Sequence, residues 1–370
     1  MNHPQVFDPK LTVESMSRLF AVLAVSVLVI LAGCTGVGLD GVTDESNEPT
    51  IKTESSGDST DNGGDTTPVE GELEIHHIDV GQADATLMIS PDGETILVDS
   101  GDWRQSGAGV IEYLDEHDID RIDHLVATHS HADHIGGHDE IIAYYETERD
   151  GIGAAYDSGV AHTTATYERY LDAIEEYDVD LFEVQEGDEL PLDDEQLSGL
   201  VLNPPAGDSG TDLHDNSVAI AFEFGEFRYL TTGDAEADAE QRMIDDWSDE
   251  LSADAYHAGH HGSSTSSTQP FIAEVEPSIA IISSNYDSQF GHPHDETLET
   301  FAEYDVETYW TGVHGDIVLT TDGEETEIRT TDEFSTDPLD LLDEKPRDDD
   351  SNSYHVTAPA LQVSTAPLPV

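Results

Sequence analysis

The residues best suited to chemistry lie in one stretch, Thr128-His129-Ser130-His131-Ala132-Asp133-His134-Ile135-Gly136-Gly137. Three histidines and an aspartate fall within six positions, directly after an apolar run that ends at Ala127. Side chains two apart on extended backbone point the same way, so His129 and His131 can face one point in space. Asp133 and His134 then fall where a helix is expected to begin, because residues 135–145 carry helix-like apolar spacing. Imidazole nitrogens and a carboxylate are ligands that a borderline ion such as Zn²⁺ accepts. Two imidazoles for one ion, and a carboxylate with an imidazole for its neighbour, make a two-metal site. The competing account is a polar loop with incidental histidines, and the density of ligand types argues against it.

Three more stretches extend the set. Leu230-Thr231-Thr232-Gly233-Asp234 puts a carboxylate at the end of an apolar strand, where it can bridge two ions roughly 3.5–4 Å apart. His257-Ala258-Gly259-His260-His261-Gly262-Ser263-Ser264 follows another short strand. One of His260 and His261 would complete a metal's ligands, and the other would face the substrate as a phosphate contact or proton donor. The residues themselves leave open which is which. His257 lies before the loop and is expected to be an ordinary strand histidine. Phe290-Gly291-His292-Pro293 can bring His292 to the rim of the site. His138, His162, His214 and His314 have no comparable context and are expected on the surface or behind the ligands.

These side chains need a scaffold, and the apolar patterning supplies one. Strands are expected at residues 73–80, 85–90, 94–98, 122–127, 200–202, 217–224, 227–232, 254–257, 278–283, 307–310 and 316–320. Helices are expected at 110–117, 135–145, 167–177, 235–247 and 297–304. Strands mixed with covering helices over residues 71–330 fit one layered α/β (α+β) domain with helices outside two sheets.

Charge sets the environment. The 370 residues carry 82 Asp+Glu against 12 Lys+Arg, a formal net charge of −70. Lys10, Lys52 and Lys345 are the only lysines. At 1 M salt the Debye length is only about 3 Å, so self-repulsion on this scale is screened. The composition points to a halophile's protein of archaeal type.

Cys34 is the only cysteine, which excludes an intrachain disulfide and a thiolate zinc cage. Lys10 and Arg18 precede an apolar run from Leu19 to Ala32, and Leu31-Ala32-Gly33-Cys34 resembles a lipoprotein cleavage box. The run suits a signal segment and is short for a membrane span of roughly 20 residues. Residues 1–34 are therefore expected to be a signal peptide ending at a lipidated Cys34, which would anchor the protein in membrane lipid on the outer face. An uncleaved anchor would leave the same domain outside. Residues 35–70 read as an acidic, Ser/Thr-rich tether and 331–370 as an acidic, Pro-containing tail, both expected to be disordered.

The stretch at 128–137 resembles the HxHxDH signature of the metallo-β-lactamase fold. A longer series narrows the likeness: His77 to Ala85, Val98-Asp99-Ser100-Gly101, Thr128 to Gly137, Asp215-Asn216-Ser217-Val218, Thr232-Gly233-Asp234, His260-His261-Gly262-Ser263 and Gly291-His292-Pro293. In that order they are similar to the soluble metallo-hydrolase domain of ComEC-type DNA-uptake proteins. The resemblance implies a four-layer αββα sandwich holding two Zn²⁺ ions, with Mn²⁺ as an alternative, and hydrolysing a phosphodiester or similar ester. It assigns Asp133, His134, Asp234 and His261 to one ion, His129, His131 and Asp234 to the other, and favours His261 over His260 as ligand. Asp99 would orient a ligand histidine or the loop. Many enzymes of the fold add a third histidine to the first ion; here Asn216 stands in that region, with His214 nearby as an alternative.

Asp133, His260 and His292 are the residues expected to act on the substrate. That substrate is expected to be DNA or a smaller phosphodiester, and no basic groove can hold DNA at this charge in molar salt. A lactone or amide hydrolase and a non-catalytic binding lipoprotein are the competing functions. No other stretch could span a membrane, so any channel partner is expected to be a separate protein. The sequence does not fix the oligomeric state.

Overall fold

The computed structural model describes residues 69–207 and 209–346. The expected signal segment, Cys34, nearly all of the tether and the end of the tail lie outside the described residues.

The chain first lays down β1 (Leu73–His77), β2 (Thr86–Ile89), β3 (Thr95–Val98), β4 (Ile122–Val126), β5 (Ile152–Asp157) and β6 (Leu181–Glu183). A second sheet follows with β7 (Leu197–Asn203), β8 (Ala219–Phe224), β9 (Phe227–Thr231), β10 (Ala255–His257), β11 (Ile279–Ile282) and β12 (Glu307–Trp310). β13 (Ile317–Thr321) and β14 (Thr326–Thr330) then return to the first sheet, whose order is β14-β13-β1-β2-β3-β4-β5-β6. The second sheet runs β12-β11-β10-β9-β8-β7.

Strand alternation builds the layers. Ile96 and Val98 of β3 face Val201, Ile220, Tyr229 and Ile281 of the second sheet, forming the central core. Leu97, on the opposite face of β3, packs with Leu125 beneath α1 (Ala108–Glu116), α2 (His138–Glu148) and α3 (Ala165–Tyr177). On the far side, Leu230, Tyr256, Ala280 and Ile282 pack under α4 (Ala237–Leu251), α5 (Gln269–Val275) and α6 (Asp295–Glu303). The result is the expected αββα order: helices, sheet, sheet, helices. A short α7 (Thr311–His314) follows β12.

Two features differ from the sequence reading. The helix after the histidine stretch begins at His138, so Asp133 and His134 lie in the turn that precedes it. Gly137, which precedes α2, is pressed against Ser100 and Gly107; a Cβ there would lie 2.6 Å from the Ser100 carbonyl oxygen. The folded chain also continues past Thr330 into α8 (Pro338–Glu344). Asp337 caps that helix by accepting the Leu339 N–H, and Leu341 is buried with α6. An acidic, Pro-containing composition concealed a capped helix. Among the described residues no helix is long and apolar enough to cross a membrane.

Candidate metal centre

Parallel pairing brings the functional loops to one rim. β3, β4 and β5 run parallel, as do β9, β10, β11 and β12, so the loops leaving their C-terminal ends emerge on the same side of each sheet. The histidine stretch leaves β4, Asp234 leaves β9, His260 and His261 leave β10, and His292 leaves β11. Backbone bonds lock these loops together. The Val218 N–H donates to the Thr128 carbonyl (2.8 Å), and the His260 N–H donates to the Gly233 carbonyl (3.0 Å). Asp84, Ser100 and Trp103 donate their N–H groups to the carbonyls of Asp133, His134 and Ala132. Gly233 adopts φ 49°, and a Cβ there would strike Ser217 and Thr128.

Asp234 stands at the centre, and its two oxygens serve two groups. On one side Oδ1 lies 3.2 Å from His134 Nε2 and 3.9 Å from His261 Nε2, while Asp133 Oδ2 lies 3.5 Å from His261 Nε2. His134 Nε2, His261 Nε2 and Asp234 Oδ1 are all buried without a hydrogen-bond partner. Buried polar atoms are normally paired, so converging orphans of imidazole and carboxylate type fit a metal ion. On the other side Oδ2 lies 3.5 Å from His129 Nε2 and 4.0 Å from His214 Nε2. His129 Nε2 and His131 Nδ1 are 2.8 Å apart, and one ligand atom each from His129, His131, His214 and Asp234 lies within 4.8 Å of the others. The arrangement is that of a dinuclear metal site with a shared carboxylate.

The rings are held from behind. His134 Nδ1 donates to Asp99 Oδ2 at 2.7 Å, and His261 Nδ1 donates to the Ser283 carbonyl at 3.0 Å. Each bond leaves the Nε2 lone pair for the centre. Asp84, fully buried, also comes within 4.8 Å of His134, His261 and Asp234. It faces the Nδ1 edges, 3.9 Å from His134 and 3.6 Å from His261, so it backs the rings and stays off the point where the Nε2 atoms converge. His257, the expected strand histidine, is buried, with Nε2 3.2 Å from Asp84 Oδ1 and 2.9 Å from Ser283 Oγ.

The electrostatics follow from burial and density. Burial alone would raise the Asp234 carboxyl, but the imidazoles of His134, His261 and His129 outweigh it and hold the group well below the usual range. Burial would lower His261, yet the nearby carboxylates of Asp84, Asp234 and Asp133 push it up to about 9. Burial keeps His129 well below its ordinary value and lowers His131 to about 4.

His260 and His261 both adopt left-handed backbone, with φ 52° and 57°. That conformation is costly for non-glycine residues and turns the two rings to different sides of Asp234. His261 enters the buried group on the Oδ1 side. His260 is partly exposed, with Nε2 3.5 Å from Asp234 Oδ2. His292 sits in the wall, its ring centroid 5.8 Å from that of His260, and Gln82 Nε2 donates to its Nδ1 at 3.2 Å. Burial lowers His292 to about 3, so it is neutral at physiological pH.

His214, expected on the surface or behind the ligands with a third ligand as the alternative, stands beside His129 and His131, as the alternative has it. His138 and His314 are buried as well, His138 with Nδ1 2.5 Å from Ser100 Oγ. His162 Nδ1 lies 3.3 Å from the Ser130 carbonyl at the edge of the histidine stretch.

The family model described as "Metallo-beta-lactamase superfamily" matches residues 78–284. ComE operon protein 3 of Bacillus subtilis is 30% identical over 264 residues, covering 67% of this chain and 33% of that protein. Recombination protein 2 of Haemophilus influenzae is 28% identical over 257 residues, covering 66% and 28%. The chain thus spans about a third of the length of these relatives. Among solved structures, the metallo-β-lactamase fold protein YhfI of Bacillus subtilis aligns with TM-score 0.47 at 13% identity, covering 67% of this chain and 99% of that one. With a matching family model over most of its folded length and the signature histidines gathered around Asp234, this chain belongs to the metallo-β-lactamase superfamily.

Proposed function

We propose that this chain is a lipid-anchored, two-zinc phosphodiesterase on the outer face of the membrane, acting on DNA or a smaller phosphodiester. The observation that carries the reading is the division of Asp234, with Oδ1 toward His134 and His261 and Oδ2 toward His129 and His214. Zn²⁺ fits the mixed imidazole and carboxylate donors, with Mn²⁺ as the alternative. Two such ions would supply Lewis acidity to a phosphoryl oxygen and bring the pKa of a water down towards about 7. The protein's own part is to fix the geometry: Asp99 and Ser283 aim His134 and His261, while Asp133, His260 and His292 stand beside them. The printed names of two relatives, Recombination protein 2 and Competence protein ComA of Neisseria gonorrhoeae, favour a nucleic-acid substrate.

Anchoring rests on the run from Leu19 to Ala32 and on Cys34, which lie outside the described residues. Cys34→Ser releasing the protein into the medium supports it, and unchanged retention on the membrane overturns it. A channel, if DNA is taken up, would be a separate partner.

One observation favours a second reading, a lactone or amide hydrolase. His214 stands where the third histidine of such enzymes is expected. One assay separates the two: the purified chain in about 2–3 M KCl, with bis-p-nitrophenyl phosphate, single-stranded DNA and a lactone, each with and without Zn²⁺ or Mn²⁺, beside Asp133→Ala. Metal-dependent phosphodiester cleavage lost in the variant supports the proposal. Lactone cleavage alone transfers the chain to the second reading, and two bound metals without turnover make it a binding protein.

A further inference from the structure

Glu236 belongs to none of the motifs that define the centre, yet it touches two of its histidines. It precedes α4 at the N-cap position, two residues after Asp234. One of its oxygens, Oε1, lies 3.3 Å from His214 Nδ1 and 3.2 Å from His260 Nδ1. The two rings stand side by side, centroids 4.6 Å apart. Their far edges face the same atom: His214 Nε2 is 4.0 Å and His260 Nε2 3.5 Å from Asp234 Oδ2. His260 Nδ1 has a second neighbour, Thr265 Oγ1, at 3.2 Å.

A carboxylate only accepts, so an oxygen 3.2–3.3 Å from both Nδ1 atoms favours the form with the proton on Nδ1 and the Nε2 lone pair free. For His214 that lone pair joins His129 and His131 beside Oδ2. His260 is outside that group of four, as partly buried as His214 and on the other flank of Glu236. We infer that Glu236 is a positioning residue that fixes two histidines at once, His214 as third imidazole of the first metal and His260 as the adjoining substrate contact. The inference rests on the two-metal reading above. It assigns the first metal to a loop histidine and a helix-cap carboxylate that lie outside the signature stretch. Glu236 makes no side-chain cap bond to α4 and is about one-third exposed, so its replacement leaves the helix intact.

The test is metal affinity of the full chain in concentrated KCl. Stripped protein would be titrated with Co²⁺, following the visible d–d bands, and Zn²⁺ content measured after dialysis. Wild type, Glu236→Leu, Glu236→Asp and His214→Ala would be compared, with far-UV circular dichroism of each metal-free protein as the folding control. Two ions are expected in wild type. In Glu236→Leu one ion should bind about 10–100-fold more weakly, the range typical for lost orienting partners, while the other is unchanged. His214→Ala should weaken the same ion, and Glu236→Asp should restore part of the affinity. Unchanged affinity for both ions in Glu236→Leu, whatever its melting temperature, overturns the inference. A third ion in wild type that disappears in Glu236→Leu also overturns it, making Glu236 a ligand. Fewer than two ions in wild type overturns the two-metal reading itself, and the inference falls with it.

Discussion

Asp99 Oδ2 lies 2.7 Å from His134 Nδ1, and the same carboxylate accepts the Thr128 N–H at 2.9 Å and the Thr128 hydroxyl at 2.7 Å. One buried side chain thus sets both the ring of a ligand and the start of the stretch that carries it. Asp99→Asn keeps the size but presents an amide that matches only part of this bonding. His134 then loses its reason to hold the proton on Nδ1. The expected outcome is a drop in affinity for the second metal of about 10–100-fold. Competition against a chromophoric chelator measures it. Wild-type affinity in the variant would show that Asp99 serves the loop alone.

Metal removal should cost stability, because the inward-facing atoms of the centre are buried without hydrogen-bond partners. His134 Nε2, His261 Nε2 and Asp234 Oδ1 stay unpaired when no ion is present. An ion held at 100 times its dissociation constant stabilises by about 2.7 kcal/mol. For a domain of this size each kcal/mol moves the melting temperature by about 2–4 °C. Chelation at fixed KCl should therefore lower it by about 5–10 °C, with larger losses if both sites empty. Calorimetry with and without added Zn²⁺ checks this, and an unchanged transition would mean that the protein as purified held no metal.

What the sequence disclosed divides along one physical line. His129, His131, Asp133 and His134 were legible because their ligand spacing is local. The layer order was legible because Leu97 and its neighbours Ile96 and Val98 alternate between two cores. His214 was legible only as an alternative ligand, because its loop has no periodicity and comes beside His131 through tertiary contacts such as the Val218 to Thr128 backbone bond. Asp84 and Glu236 were missed for a related reason: carboxylates are so common in this chain that no single one stands out. β5, with Gly153, Ala154 and Ala155, lacks the bulky β-branched run of a strand, and α5 carries Pro270 in its first turn, where proline is tolerated but reads as a breaker.

Asp157, at the end of β5, makes the pH dependence testable away from the metals. Burial pushes its carboxyl up to about 6, against the Gly159 N–H that it accepts at 2.8 Å, with Glu183 adding to the rise. The folded value lies above the unfolded one near 3.9, so the fold favours the neutral form. This contribution is fully present below about pH 4 and is lost as pH rises through about 6. Asp157→Asn keeps the acceptor oxygen and cannot ionise. It should flatten the stability slope between about pH 4 and 6.5 and gain about 2 kcal/mol at pH 8. Denaturant melts across that range decide the matter, and an unaltered slope would show that the carboxyl is solvated.

Salt should act on the whole surface and leave Asp157 alone. Cations are few: Arg104 pairs with Asp102, Arg121 with Asp123, Arg149 with Asp115 and Asp120, and Arg169 with Asp139, using few carboxylates of a large excess. The remaining acidic charge repels itself, and that repulsion weakens as the Debye length shrinks from about 8 Å at 0.15 M to about 3 Å at 1 M. The melting temperature should climb steadily from about 0.2 M to about 2 M KCl, with most of the gain at the low end where screening changes fastest. Desolvation, unlike repulsion across the surface, is little screened. The gain from Asp157→Asn at pH 8 should therefore be the same at both salt concentrations, whereas replacing exposed acidic residues by their amides should help at low salt and matter little at high. A melting temperature indifferent to KCl would mean that the acidic surface is neutralised locally, and a salt-dependent Asp157→Asn gain would place that carboxylate within reach of bulk ions.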